Sequence, residues 1–173
     1  MLYGEDTEIV LKRIRNCNKK LDVSYLNISS LPELPPFLEE LWCDNTQITS
    51  LPKLPPFLNR LSCWKTQITS LPELPHSLQY LFCSNTPLIS LPTLPPYLRV
   101  LSCWDTQIFS LPELPPYLKE LWCSNTPLIS LPEIPLTLEW LYCSNTSLMI
   151  KQNKYETIQD YNLRWQESRQ KRQ

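Results

Sequence analysis

The apolar positions of this chain recur with a period of 20 residues from Leu41 to Trp140. Each copy starts Leu-x-Cys-x-x-Thr-x-(Ile/Leu), and all but the last continue to Ser-Leu-Pro-x-(Leu/Ile)-Pro. The six copies begin at Leu41, Leu61, Leu81, Leu101, Leu121 and Leu141. A degenerate earlier copy begins at Leu21. Self-similarity at a fixed period of this length predicts stacked structural repeats, here seven rungs.

Within one repeat the alternation of Leu41 and Cys43 predicts a short strand with both side chains pointing inward. The rest of the repeat carries Pro52, Pro55 and Pro56. Prolines remove backbone donors and push their predecessors into extended geometry, so this part cannot be a helix. The sequence therefore predicts a solenoid with one parallel β-sheet of about seven short strands and a proline-rich, extended return face.

Both ends of a solenoid need a cover, because a terminal rung has a neighbour on one side only. Residues 6–17 predict an amphipathic helix with Asp6 as N-cap and Ile9, Val10 and Ile14 as its apolar face. A capping-box pattern at 153–156 predicts a second helix. The expected organisation is an N-terminal helical cap (1–20), the solenoid (21–150), and a C-terminal capping helix with a basic tail (151–173).

Two inward columns follow from the period. The Cys column is predicted to be free, buried thiols, because parallel strands aim the Cβ vectors alike rather than at each other. No Cys-x-x-Cys or Cys/His cluster is present, so we expect no metal and no cofactor. The Thr hydroxyls are expected to bond to the backbone of the turn after each strand. The columns are Cys43, Cys63, Cys83, Cys103, Cys123 and Cys143, and Thr46, Thr66, Thr86, Thr106, Thr126 and Thr146.

The segment Leu38-x-x-Leu41-x-Cys43-x-x-Thr46-x-Ile48 resembles the leucine-rich-repeat signature, with Thr where Asn or Cys is usual. Its Leu-Pro-x-Leu-Pro-x-x-Leu-x-x-Leu pattern is similar to the short leucine-rich repeats of secreted bacterial virulence effectors. The variant with Leu-x-Cys-Ser-Asn-Thr and Ile-Ser-Leu-Pro also resembles repeat proteins of large DNA viruses of amoebae. The resemblance covers residues 21 to about 150. It implies a protein-binding function whose ligand differs between members.

The outward positions of the strands carry one large aromatic residue in each of the last six rungs. Contiguous exposed aromatics are rare unless they meet a partner, so the pattern predicts a protein-binding surface on the strand (concave) face. Aromatics that only pave and stabilise the sheet are the alternative. The candidate residues are Trp42, Trp64, Phe82, Trp104, Trp122 and Tyr142, with Tyr80 and Trp140 just before the predicted strands.

The leading hypothesis is a protein–protein interaction module, with a host-directed role, for a partner of unknown identity. A self-associating structural protein, forming a homodimer for example, and a carbohydrate-binding module are the alternatives. Charges on the strand face are mixed and the net charge is -1, so nucleic acid is not expected as a partner. The single His76 lacks a nucleophile or carboxylate pair, so we do not expect an enzyme. The chain opens with polar residues and holds no membrane-length apolar run. We therefore expect no membrane association and a cytoplasmic location, in its own cell or a host's.

Overall fold

The computed structural model describes residues 5–148, which form one helix followed by a parallel sheet. Helix α1 spans Glu5–Asn16. The seven strands of the described residues are β1 (Lys20–Asp22), β2 (Glu40–Trp42), β3 (Arg60–Ser62), β4 (Tyr80–Phe82), β5 (Val100–Ser102), β6 (Glu120–Trp122) and β7 (Trp140–Tyr142).

The strands pair in chain order, each with the next, and the register is shifted by one repeat at every step. Leu21 pairs with Leu41, and the same pairing continues through to Leu121 with Leu141. The central leucine of every strand is buried. The predicted solenoid of about seven short parallel strands is thus confirmed, and its core lies directly behind the sheet.

Each strand ends in a corner that requires a left-handed backbone conformation. A residue with φ between 51° and 63° stands four positions after the central leucine of every rung. Asn and Asp tolerate this region better than other non-glycine residues, and they fill five of the seven corners. A chain with one glycine therefore turns its corners with asparagine. The corner residues are Tyr25, Asn45, Lys65, Asn85, Asp105, Asn125 and Asn145.

Replacement of Asn85 by valine should destabilise the fold by about 1–2 kcal/mol, because a β-branched side chain is disfavoured at a φ of 56°. Chemical denaturation of the variant and the parent measures the difference. Gln67→Val, at an exposed position two residues beyond a corner, is the matched control and should change little. Equal stability of Asn85→Val and the parent would contradict the assigned corner strain.

The residue after each corner confirms the predicted role of the threonines. Thr86 is buried, and its hydroxyl donates to the carbonyl oxygen of Cys83 at 2.7 Å. The same bond, three residues back along the chain, recurs in the other five rungs at 2.7–2.8 Å. The Thr side chain thus satisfies a carbonyl group that the short strand leaves unpaired at its end.

Between successive strands within residues 29–139, the return limbs contain no helix and no further strand, as their prolines predict. Each limb ends in a β-turn, in which the amide of Leu38 donates to the carbonyl of Pro35 at 3.1 Å. The same bond forms in the next five rungs at 3.0–3.1 Å. Pro36 occupies the second turn position, which favours proline because its φ is already set. His76 and Leu136 stand at this position in the two rungs that lack the second proline.

Helix α1 covers the first rung through Val10, which is buried, and through the half-buried Ile14. The helix itself is as predicted, but two details of the prediction are wrong. Asp6 is not the N-cap: it lies inside the helix, and its Oδ2 accepts a hydrogen bond from the amide of Asn27 at 2.7 Å. Ile9 is exposed rather than part of the packed face.

The predicted C-terminal helix and its capping box at 153–156 lie outside the described residues, and the proposed boundaries of the three segments stay predictions. No helix within residues 5–148 is long and apolar enough to cross a membrane.

Candidate functional site

The outer surface of the sheet is built from the first and third positions of the strands, which flank the buried leucine. The first-position column is Lys20, Glu40, Arg60, Tyr80, Val100, Glu120 and Trp140. The third-position column is Asp22, Trp42, Ser62, Phe82, Ser102, Trp122 and Tyr142. Residues of one column are direct neighbours across adjacent strands, so each column forms a continuous line of side chains.

Large and small residues alternate along most of the third-position column. Ser62 lies between Trp42 and Phe82, and Ser102 lies between Phe82 and Trp122. Both serines are buried, because the rings on either side cover them. In these two rungs a tryptophan stands two residues later, as Trp64 and Trp104. Five of the predicted site residues are consequently half-buried rather than freely exposed: Trp42, Trp64, Tyr80, Phe82 and Trp104.

The alternation stops at the last two strands, where the face is most open. Trp122 and Tyr142 are direct neighbours, with ring centroids 4.3 Å apart and ring planes at 30°. Trp140 is 54% exposed, Tyr142 41% and Trp122 37%. The indole Nε1 of Trp122 donates to Oε2 of Glu120 at 3.0 Å. The structure thus gathers the other three predicted residues into one exposed aromatic patch, which we call the β6–β7 patch.

A second grouping, at the other half of the sheet, was not predicted as a site. The guanidinium carbon of Arg60 lies 4.3 Å from the ring centroid of Tyr80, 5.6 Å from that of Trp42 and 5.8 Å from that of Phe82. We call these four residues the Arg60 cluster. The ammonium of Lys20 also lies 4.9 Å from the centre of the Trp42 ring. Sequence reasoning counted Arg60 only as one charge among many, because only the sheet register places it among three rings.

Below this surface Asp44 anchors the corner between two rungs. Its Oδ1 accepts hydrogen bonds from the Ser62 hydroxyl at 2.6 Å and from the backbone amide of Trp64 at 2.9 Å. Burial raises the pKa of the Asp44 carboxyl above its ordinary value, although these hydrogen bonds act in the opposite direction. Asp44 therefore serves to position Trp64, and its carboxylate is engaged within the protein.

Another row of aromatics, which the sequence analysis missed, lies on the β-turns of the return limbs. Phe37, Phe57, Tyr97 and Tyr117 are each more than half exposed, and the rings of Tyr97 and Tyr117 stack with centroids 5.9 Å apart. The signal was present in the sequence, because an aromatic follows every Pro-Pro pair. Where the pair is broken, Ser77 and Thr137 stand instead. Their hydroxyls donate to the Pro56 carbonyl at 2.8 Å and to the Pro116 carbonyl at 2.7 Å.

A third exposed apolar row, also missed, lies just beyond the strand corners. It consists of Ile89, Phe109 and Ile129 in three successive rungs, each more than half exposed. We call it the corner row. The first three rungs of the fold carry Ser29, Thr49 and Thr69 at the equivalent position, so the apolar character begins at the fourth rung.

The cysteine column lies in the core and does not contribute to the face. Cys43, Cys63, Cys83, Cys103 and Cys123 are buried free thiols, as the sequence predicted. Cys143, in the last rung, is only half-buried, so the prediction of burial is wrong at that position. Burial raises the pKa of the Cys103 thiol to about 12 and that of Cys63 and Cys83 well above the ordinary value. Such thiols stay protonated at neutral pH and are poor nucleophiles. Within residues 5–148 no group of side chains has the arrangement of a metal site.

Solved structures of bacterial effectors resemble this chain. The leucine-rich-repeat domain of a Shigella effector is 32% identical with a TM-score of 0.79, and the match covers 84% of this chain and 69% of that domain. The chain belongs to the leucine-rich-repeat family of bacterial effectors. No family model and no curated protein matches the chain.

Two further effector structures share the leucine-rich-repeat fold with this chain. YopM from Yersinia pestis is 28% identical with a TM-score of 0.72, and the match covers 83% of this chain and 55% of that one. YopM from Yersinia enterocolitica is 36% identical with a TM-score of 0.62, and the match covers 75% of this chain and 33% of that one. This leucine-rich-repeat chain thus spans about half of the Yersinia pestis chain and about a third of the Yersinia enterocolitica chain.

Proposed function

We propose that this leucine-rich-repeat protein recognises another protein through its strand face, with the β6–β7 patch as the centre of contact. The leucine-rich-repeat effector fold supports a protein-interaction module in general. The observation that carries the specific proposal is the exposure of Trp122, Trp140 and Tyr142 side by side on two adjacent strands. Large aromatics are the residues that most often dominate binding energy in protein interfaces.

The half-buried aromatics have a different part in this proposal. Trp42 and Phe82 lie on either side of the buried Ser62, and this packing stabilises the sheet. The two explanations of the aromatic face therefore apply to different residues. The five half-buried rings hold the sheet together, and the three exposed rings contact the partner.

A protein ligand fits the β6–β7 patch better than a sugar does. Carbohydrate-binding platforms present the open face of a ring to the sugar. Trp122 and Tyr142 instead pack against each other at 4.3 Å, so their facing surfaces are already occupied. The side chain of Trp140 is the most exposed of the three. It could insert into a pocket of a folded partner or pack against one of the partner's hydrophobic side chains.

We further propose a host-directed role in the host cytoplasm and a binding rather than a catalytic activity. The likeness to Shigella and Yersinia effectors supports the host-directed role. The resemblance of the Leu-x-Cys-Ser-Asn-Thr repeats to proteins of large DNA viruses of amoebae extends it to a viral source. The lone His76 lies exposed on a turn of the return limb, which supports a role outside catalysis.

The test is affinity capture from the native cell or its host with three forms of the protein, quantified by mass spectrometry. The double variant Trp140→Ser/Tyr142→Ser should lose its partner by tenfold or more, roughly the effect of removing a binding hot spot. Phe57→Ser/Tyr117→Ser is the matched control, since it removes two aromatics of similar exposure from the turn row. Full capture by the β6–β7 variant, with an unchanged melting curve, would contradict the proposal.

Self-association is the second candidate, and the corner row supports it. Ile89, Phe109 and Ile129 form an exposed apolar line that a second copy of the chain could cover. In the same experiment, capture of the chain's own copies that is lost in Phe109→Ser would favour self-association over a foreign partner. Sedimentation velocity at increasing concentration then shows whether the unmodified protein is monomeric.

A further inference from the structure

We infer that the Arg60 cluster is a receptor for a carboxylate, the side chain of an Asp or Glu in an acidic segment of the protein partner. The inference rests on the proposed function, because it assigns the chemistry of that same face at its N-terminal half. It places a charged contact beside the apolar contact of the β6–β7 patch.

The first observation is that the Arg60 guanidinium has rings as neighbours and no acceptor. Within residues 5–148 it forms no ion pair and donates no side-chain hydrogen bond, and its contacts are Tyr80, Trp42 and Phe82. Two other cations, which lie next to the strands, are neutralised within the protein. Lys19 lies 2.7 Å from Glu39, and Lys119 lies 2.7 Å from Glu139. Arg60 is thus the half-buried cation of this face with its donors unused.

The second step is the geometry of a guanidinium held by aromatic rings. Rings interact with the flat face of this group and leave the N–H donors at its edge. Those donors match the two oxygens of a carboxylate. Ring contacts also restrict the side chain before the ligand arrives, which reduces the entropy lost on binding. Lys20, above the Trp42 ring, adds a second positive charge to the same area.

The neighbouring charges favour a single carboxylate over a phosphate or a nucleic-acid backbone. Glu40 stands between Lys20 and Arg60 in the first-position column, and Asp22 pairs with Trp42 in the next. The indole Nε1 of Trp42 donates a hydrogen bond to Oε2 of Glu40 at 3.1 Å, which holds this carboxyl group beside the Trp42 ring. Two cations are thus balanced by two carboxylates, so a polyanion would gain little from this area.

The spacing along the sheet defines the ligand further. Arg60 is on β3 and Trp122 on β6, three strand spacings or roughly 14 Å apart. An extended peptide that crosses the strands covers this span with about four residues. The expected motif is therefore an acidic residue about four positions from a large apolar one.

A displayed library of random peptides selected on the purified protein tests the inference. We expect recovered peptides to be enriched in Asp or Glu at a fixed distance from an apolar residue. A selected peptide, synthesised with an amidated C-terminus so that its carboxylates are side chains, is then titrated against Arg60→Met, Arg60→Lys and Arg99→Met. Arg99, immediately before β5, is an exposed cation that has no ring contact within residues 5–148, and it serves as the matched control.

Arg60→Met should bind about 10- to 100-fold more weakly, the usual effect of losing a charge-assisted hydrogen bond. Arg60→Lys should be intermediate, and Arg99→Met should stay within about twofold. Replacing the peptide's acidic residue by its amide should weaken binding to the unmodified protein equally, which tests the inference even if Arg60→Met folds poorly. Peptides without acidic residues, or equal binding by Arg60→Met, would overturn it. If those same peptides still require Trp140 and Tyr142, the proposed function survives that failure.

Discussion

The stability of this protein should fall steeply as the pH rises above about 9, because five buried thiols resist ionisation in the folded state. Burial raises the pKa of the Cys103 thiol from 9.0 to about 12. It raises the pKa of Cys43, Cys63, Cys83 and Cys123 well above the same ordinary value. The unfolded chain has no such burial, so its thiols ionise near their ordinary pKa.

The sign follows from proton linkage. The folded state binds these protons more tightly than the unfolded state, so the thiols contribute their full stability below pH 9. That stability is lost as the pH rises from 9 towards 12. One thiol such as Cys103 accounts for about 1.4 kcal/mol per pH unit in this window, and the other four buried thiols act in the same direction. Small domains are stable by only about 5–15 kcal/mol, so we expect cooperative unfolding within this alkaline range.

Urea denaturation at a series of pH values under reducing conditions measures this effect. Cys103→Ala is the informative variant, because it removes one titrating group and leaves every other group in place. It should be less stable than the parent at pH 7, yet lose about 1.4 kcal/mol less per pH unit above pH 9. Parallel pH profiles of the variant and the parent would show that Cys103 is not buried as a thiol.

Replacement of Leu101 by alanine should cost about 2–5 kcal/mol of stability. Leu101 is the fully buried centre of β5, and strands lie on both of its sides, so its removal leaves a cavity bounded by two rungs. In a repeat protein each rung is held chiefly by its neighbours. The cavity therefore weakens both interfaces of the rung.

The matched control is the same chemical change at Leu136, which is 95% exposed on the turn of a return limb. Leu136→Ala should stay within about 0.5 kcal/mol of the parent. Thermal and urea unfolding of both variants give the comparison. A loss below about 1 kcal/mol for Leu101→Ala would mean that the rungs do not stack as tightly as the structure shows.

These two effects concern the scaffold, whereas the binding effects concern its face. Leu101 and Cys103 point inward, and Trp140 and Arg60 point outward from the same sheet. Because successive residues of a strand face opposite sides, the face can vary without changing the core. We therefore expect variants of Trp140, Tyr142 and Arg60 to change binding while leaving the unfolding curve nearly unaltered.

The repeat by itself determined the scaffold. A strict 20-residue period with Leu41 and Cys43 in alternation predicts one arrangement, in which the central leucine of every strand is buried. The prolines excluded a helix from the return limb, and the regular Thr pointed to a bond with the backbone. These conclusions depend on local geometry and on the spacing along the chain, which the sequence contains completely.

Some local features were present in the sequence but were not recognised. The Asn-Thr and Asp-Thr pairs mark corners with positive φ, because these residues tolerate that conformation. The aromatic after each Pro-Pro pair marks an exposed turn position. Asp6 shows the opposite case, since its bond to the distant amide of Asn27 depends on how the helix packs on the first rungs.

The composition of the binding face was decided only by the tertiary structure. The sequence identified eight aromatic candidates but could not rank their exposure, because exposure depends on the residues that the register brings alongside. The small Ser62 lies beside Trp42 and Phe82, and both rings are half-buried. Trp122 and Tyr142 are instead direct neighbours and remain exposed. The same register pairs strands that are 20 residues apart in the chain, and it places Arg60 in contact with the rings of Trp42, Tyr80 and Phe82.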